Sequence, residues 1–415
     1  MRTVGLIVEY NPFHNGHLYH LQQSAKITQA DAVVAVMSGH FLQRGEPALL
    51  DKWARTKMAL EGGCDLVIEL PVAYATQAAE WFAYGAVSLL EATGVVDSFC
   101  FGTENGDLAP LLQAAHIVAD EPAAFKSLLM QRLQTGVSYP SAYSDAITSY
   151  LSEHGYVDAV NFPFALPNHT LGLHYLIAHH RLNGKMEPFT ITREKAQYSQ
   201  QTVTDRQIAS ATAIRKLLLE QRSLEAAQAY VPATTYRILQ QEWLTGHCPM
   251  SWEPYTNALL HAILTRTPAQ LAELHEITEG LEHRIRNAMP KLASLQFEGL
   301  LDTLKTKRYT RTKLQRALLA ILLGHHKADF TPDRLSTGVE YIRVLGFSEK
   351  GKQLLRRMRS TAKLPVLLSA ARASQSYRYL ELDTQASSVY MLGQPGFESS
   401  KSLFRDFMDK PITME

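Results

Sequence analysis

The sequence predicts an α/β fold with a parallel sheet, followed by a mostly α-helical C-terminal region. Three observations carry this. Short apolar runs alternate with segments of helical periodicity through the first hundred residues, glycine or proline closes three of those runs, and strand-like segments become scarce after about residue 205. Strands that alternate with helices at this spacing form βαβ units, whose crossovers favour a parallel sheet.

Residues 4–9 are a short apolar run bounded by Asn11-Pro12, and they read as a buried strand. Residues 17–26 read as a helix, with Leu18, Leu21 and Ala25 at helical spacing. Residues 31–37 are a second buried strand and 49–61 a second helix. Residues 65–70 form a third strand stopped by Pro71, 74–92 a long helix closed by Gly94, and 98–101 a fourth strand ended by Gly102. Ligands of open parallel sheets bind at the carboxyl ends of the strands, which directs attention to the segments after Glu9, Met37, Leu70 and Phe101. Further on, 217–229, 256–264, 268–281, 313–323 and 352–358 look helical, with one short strand at 339–344. The division expected is a sheet-based domain over 1–222 and a helical region over 223–415.

The chain has 415 residues, enough for two or three domains, with 46% hydrophobic and 20% charged residues. This is an ordinary globular composition. No apolar run is long enough for a membrane helix, and too few apolar residues precede Glu9 for a secretory signal. Three cysteines without a CxxC pair argue against a disulfide framework and a structural zinc site, and fit a cytoplasmic location. The net charge of +1 conceals a split: residues 1–220 hold 15 Lys+Arg against 21 Asp+Glu, and residues 221–415 hold 26 against 19. The basic half is a candidate polyanion binder, or simply a domain of different surface charge.

The densest motif is Gly5-Leu6-Ile7-Val8-Glu9-Tyr10-Asn11-Pro12-Phe13-His14-Asn15-Gly16-His17-Leu18. A buried strand enters a turn with two histidines around a glycine, and a helix follows. The helix start offers unpaired N–H groups and a positive dipole end to a phosphate, and two imidazoles beside it can donate hydrogen bonds to developing phosphoryl charge. The bland alternative is that His14 caps the turn and His17 merely begins the helix. A zinc reading of His14, His17 and His20 lacks an HExxH glutamate and a fourth ligand, so His20 is expected on the helix surface. Gly346 to Lys352 matches GxxxxGK but continues with Gln353 in place of the hydroxyl that binds Mg²⁺, and reads as a turn.

His14-Asn15-Gly16-His17 resembles the first signature of the nucleotidylyltransferase superfamily, which implies a Rossmann-like fold and attack on an α-phosphate with loss of pyrophosphate. A second signature is expected downstream, and Ser210, Thr212 and Arg215 supply it: hydroxyls that cap a helix and a fixed positive charge. Gln43-Arg44-Gly45-Glu46-Pro47, Phe101-Gly102, Pro167-Asn168 and the segment from Arg193 to Tyr198 follow in order. With these, the chain is similar to the bacterial tRNA(Met) cytidine acetate ligase family over most of its length. The resemblance implies an enzyme that activates acetate with ATP, expected to carry Mg²⁺ on its phosphates, and passes the acetyl group to the wobble cytidine of elongator tRNA(Met). It places ATP on residues 5–18 with Gly102, Asn168 and Arg193, joined by Ser210, Thr212 and Arg215. The family usually has Asn where this chain has His169, so no role is assigned there.

The acetate carboxylate is already an anion at neutral pH, so its attack on phosphorus needs positioning and charge neutralisation and no base. Arg44 and Glu46 lie in a tight loop expected to border the substrate pocket, or to form a structural pair. Lys52 and Arg55 share one helix face, most simply a solvated one. On the tRNA side, Lys305, Lys307, Arg308, Arg311, Lys313 and Arg316 surround Tyr309 with no acid among them, a pattern suited to phosphates and a stacked base. Arg356, Arg357 and Arg359 form a second cluster. Other classes share parts of this pattern: an adenylyltransferase of a small phosphorylated substrate, a non-catalytic ATP-holding tRNA-binding protein, and a class I aminoacyl-tRNA synthetase, for which the KMSKS-type loop is missing.

Overall fold

A computed structural model describes residues 1–137, 139–156, 161–192, 209–306, 309–395 and 400–414. Its centre is a sheet made first from β1 (Thr3–Val8), β2 (Ala32–Ser38), β3 (Leu66–Leu70) and β4 (Ser98–Thr103), the four strands the apolar runs predict. β5 (Glu187–Thr192), β6 (Ile342–Phe347), β7 (Val366–Leu367) and β8 (Ile412–Thr413) complete it. The order is β5-β4-β1-β2-β3-β6-β7, with β8 also paired to β6. β1 to β5 run parallel, Gly5 pairing with Val34 on one side and Phe99 on the other. β2 is buried at every position because both faces are covered. Val34 and Val36 pack on one side with Leu66 and Ile68, while Val33, Ala35 and Met37 pack on the other with Val4 and Leu6.

β6 joins β3 antiparallel, so strands from beyond residue 340 extend the sheet begun at the N-terminus. The strand expected at 339–344 exists, displaced toward its C-terminal side as β6. Ser348 then caps the helix Glu349–Thr361. The GxxxxGK glycines serve packing: a Cβ on Gly351 would collide with the Asp65 carbonyl oxygen, and one on Gly346 would lie 2.7 Å from a Thr56 methyl. The strand and helix are therefore pressed onto the sheet, with no room for a phosphate.

Helix boundaries follow capping chemistry. Asp51 accepts the Ala54 N–H at 2.7 Å and starts the helix Lys52–Glu61, three residues later than expected. The long helix expected over 74–92 is split into Val72–Ala75 and Ala79–Thr93, and the latter ends on left-handed Gly94 at φ +63° as predicted. The predicted segments 217–229 and 268–281 are likewise divided, into Ala211–Leu219 and the 3₁₀ turn Glu225–Tyr230, and into Pro268–Ala272 and Leu281–Ala288. Among the described residues, four helices between β4 and β5 have no counterpart in the sequence pattern: Ala109–Val118, Ala123–Gln134, Tyr139–Glu153 and Pro167–Arg181. Among the described residues no helix is long and apolar enough to cross a membrane.

The helix Lys52–Glu61 corrects one expectation outright. Lys52 and Arg55 are both fully buried, not a solvated face. Lys52 Nζ donates to both oxygens of Glu69 and to Asp406, and Arg55 donates to the carbonyls of Glu9, Ser38, Gly39 and Leu50. Arg55 thereby ties the ends of β1 and β2 together beneath the site.

Candidate active site

The strand order reverses at β1, which has β2 on one side and β4 on the other. A crevice opens at the carboxyl ends where neighbouring strands send their connections to opposite faces. A cavity of about 200 Å³ lies there, lined by Ile7, Val8 and Glu9 at the end of β1 and by Phe101 and Gly102 on β4.

The turn after β1 is locked from below. Tyr10 has φ +47° and a buried ring, Phe13 is fully buried, and Asn11 Oδ1 accepts the Leu49 N–H at 2.7 Å. His14 is the N-cap of the helix Asn15–Ile27. Its Nδ1 accepts the Gly16 N–H at 3.0 Å, and the His14 N–H in turn points to His17 Nδ1 at 3.4 Å, a reciprocal capping box. With Nδ1 as acceptor, each ring in its neutral form carries its proton on Nε2. They stack at 3.7 Å between centroids. The capping reading of this motif holds, and the cap sets two stacked imidazoles side by side at a helix N-terminus.

The second signature lies on the same cavity. Ser210 caps the helix Ala211–Leu219 by accepting the Ala213 N–H at 3.1 Å, while Thr212 sits inside the first turn, its hydroxyl 3.3 Å from Arg215 Nη2. Arg215 also donates to the Asn11 carbonyl at 3.1 Å and lies 3.7 Å from Glu46. Residues about 200 apart are thereby clamped onto one wall. Asn168 reaches the cavity from the start of the helix Pro167–Arg181, whose first N–H groups are taken by Glu104: Asn168 N–H at 2.9 Å and His169 N–H at 3.0 Å. His169 itself is buried, its ring between the Pro163 carbonyl and Asn105. Arg193 falls outside the described residues, as do Lys307, Arg308 and Tyr198.

Several lining residues had no sequence signal. His20, expected on the surface, lines the cavity, as does Tyr19. Phe82, Leu171 and Tyr175 join Ile7 and Phe101 as an apolar wall drawn from four separate elements. Glu104 is legible only as part of the segment after β4, since its partner Asn168 lies 64 residues away.

Arg44 and Glu46 both border the cavity. Glu46 is placed between Arg215 and Gln315 Nε2, which donates to it at 3.2 Å. The loop is seated by Gly45, at φ +73°, where an added Cβ would lie 2.5 Å from the Arg316 backbone nitrogen. Trp252 Nε1 donates to the Gly45 carbonyl at 3.1 Å. Gly45→Ala is expected to cost about 1–3 kcal/mol of stability through left-handed strain and backbone collision, read from the denaturant midpoint. An unshifted midpoint would show that the loop is not held there.

The basic segment is more paired than its sequence suggests. Arg311 makes two bonds to Glu298, at 2.8 and 2.6 Å. Lys313 and Arg316 share Glu276, at 3.3 and 2.7 Å. Burial would raise the Glu276 carboxyl, but these two cations hold it down at about 2. Tyr309 is 7% exposed and its hydroxyl donates to the Glu279 carbonyl at 2.7 Å. Its ring is part of the core, which corrects its expected use as a stacking platform. Lys305 stays exposed, as do Arg356, Arg357 and Arg359.

Fold and site together define a nucleotidyl transferase, and the family model described as HIGH Nucleotidyl Transferase matches residues 1–403. A tRNA(Met) cytidine acetate ligase of Acetivibrio thermocellus is 40% identical over 402 residues, 94% of this chain and 95% of that protein. The crystal structure of apo Thermotoga maritima TmcAL, form I, matches with a TM-score of 0.91 at 33% identity over 100% of both chains. The same protein bound with alpha-thio ATP, form II, matches with a TM-score of 0.88 at 33% identity over 100% of this chain and 99% of that one. The chain belongs to the tRNA(Met) cytidine acetate ligase family.

Proposed function

We infer that this protein is an ATP-dependent tRNA(Met) cytidine acetate ligase. It joins acetate to the α-phosphate of ATP with loss of pyrophosphate, then transfers the acetyl group to the exocyclic amine of the wobble cytidine of elongator tRNA(Met), giving N4-acetylcytidine. The observation that carries this reading is the pair of stacked imidazoles, each with Nδ1 held by the helix cap, lining a cavity that Ser210, Thr212 and Arg215 also line. His14 and His17 donate to the α-phosphoryl oxygens as charge grows there, and the helix start at Ser210 with Arg215 receives the departing pyrophosphate. Residues 5–18, Gly102, Asn168 and Arg193 complete the ATP site. Among the described residues no group of three or more His, Cys, Asp or Glu is placed to hold a metal. Mg²⁺ is proposed to enter on the phosphates of ATP, as the family resemblance implies, and no step is routed through it.

Residues 1–222 supply the chemistry and 223–415 the tRNA surface. The Gln43 to Pro47 loop joins the two, because Glu46 meets Gln315 on the helix Arg311–Leu323 that carries the basic segment. Lys305, Arg311 and Lys313 lie along that rim, where tRNA phosphates compete for cations now shared with Glu298 and Glu276; Lys307 and Arg308 are assigned to the tRNA from the sequence pattern alone. A wobble base turned out of its loop then reaches the cavity past Arg44 and Glu46. The location is cytoplasmic, with the tRNA. The test is incubation with ATP, Mg²⁺, acetate and bulk bacterial tRNA, followed by nucleoside mass analysis. Acetylcytidine that depends on acetate is expected. Pyrophosphate release that ignores acetate would instead support an adenylyltransferase of a small phosphorylated substrate.

A further inference from the structure

The second half-reaction needs a group that the first does not. As the cytidine N4 lone pair forms a bond to the acetyl carbonyl carbon, N4 becomes positive, and it must lose a proton before the adduct reverts. His14 and His17 already have their Nδ1 atoms occupied and offer only N–H donors. Arg215 is permanently charged, and Glu46 is engaged by Arg215 and Gln315. Glu9 differs from all of these. Its Oε1 accepts the Gln43 N–H at 2.8 Å, which fixes the carboxylate against the loop that meets the helix Arg311–Leu323. Its carbonyl is held by Arg55 at 2.7 Å. Its second oxygen, Oε2, has no hydrogen-bond partner among the described residues, and the side chain lines the cavity half-buried.

We propose that Glu9 is the general base of acetyl transfer, taking the N4 proton on Oε2. The N4–carbon bond forms, the bond from that carbon to the phosphoryl oxygen breaks, and the electron pair leaves with AMP. The proton passes from N4 to Glu9 and then to solvent. Burial raises the Glu9 carboxyl above its ordinary range, opposed by the Gln43 N–H, Arg215 and Arg44, while Glu46 adds to the rise. A carboxylate moved toward neutrality is a better-matched base.

This inference rests on the ligase reading, so the two half-reactions are measured separately. Wild-type enzyme must first show acetate-dependent pyrophosphate exchange; its absence sinks the ligase reading itself. Glu9→Gln keeps an oxygen for the Gln43 N–H and so preserves the loop. Its single-turnover transfer from acetyl-adenylate to tRNA is expected to fall about 10²–10³-fold, at least about tenfold more than exchange, which falls too because Glu9 lies in the ATP-binding stretch 5–18. The rise of transfer rate with pH seen in wild type disappears in Glu9→Gln and persists, at reduced amplitude, in Glu9→Asp. Equal loss of both half-reactions would confine Glu9 to ATP binding with no part in transfer, and transfer at the wild-type rate would remove it from the chemistry. Either result overturns the proposal.

Discussion

His17→Ala lowers acetate-dependent pyrophosphate exchange by about 10²–10³-fold while tRNA binding changes less than about twofold. The magnitude is that of removing one preorganised donor from a site where charge develops. Two effects add at this residue. The variant loses an Nε2–H donor, and it loses the Nδ1 that receives the His14 N–H, so the partner ring is held by the Gly16 N–H alone. His17→Gln separates them, since its amide restores an acceptor for the cap and a donor of different reach; it recovers stability before it recovers rate. Binding is spared because the tRNA rim lies on the helix Arg311–Leu323 and its flanks, joined to the site through Glu46 and Gln315 and not through the imidazoles. The measurements are labelled pyrophosphate exchange and filter binding of elongator tRNA(Met). Parallel loss of tRNA affinity would contradict the division of labour between the two halves of the chain.

What the sequence discloses here is what lies close along the chain. β1 to β4 are readable because strands covered on both faces are unbroken apolar runs, and the histidine turn is readable because its parts are consecutive. The helix expected over 313–323 is found as Arg311–Leu323, starting two residues earlier because Thr310 caps it by accepting the Lys313 N–H. Partners from a distance are not readable. Six cations between Lys305 and Arg316 look unopposed until Glu276 and Glu298 arrive from other elements. A helical face shared by Lys52 and Arg55 says which side chains go together, but not that strand ends and the C-terminal segment lie opposite them. β6 is shifted from its expected place because its antiparallel pairing with β3, nearly 280 residues away, sets its register.

The largest stability effect is expected at Lys52. Its ammonium is wholly buried and bonds Glu69 at 2.7 and 2.8 Å and Asp406 at 2.7 Å. Burying such a group is unfavourable in itself, so the pair contributes little net stability over an apolar replacement of all partners. Removing one partner is different. Lys52→Met leaves two carboxylates in the interior with only Arg343, 3.4 Å from Asp406, to oppose them, at a cost of about 3–5 kcal/mol near neutral pH. Burial alone would raise the Asp406 carboxyl, but Lys52 and Arg343 hold it below its usual range. In wild type this group therefore contributes stability above the unfolded carboxylate range, and the contribution is lost as pH falls through the folded value. In Lys52→Met the sign reverses: without the ammonium the buried carboxyls bind protons more readily folded than unfolded. Acidification then stabilises the variant, and its deficit narrows from neutral pH toward pH 5. Lys52→Met combined with Glu69→Gln and Asp406→Asn recovers part of the loss at neutral pH by the same reasoning. Denaturant unfolding across pH measures all of this. A deficit below about 1 kcal/mol at neutral pH, or one that does not change with pH, would mean that the carboxylates find water or other partners when the ammonium is gone. The consequence reaches function because Asp406 anchors the C-terminal segment to the helix that carries Arg55, and Arg55 holds the main chain of Glu9.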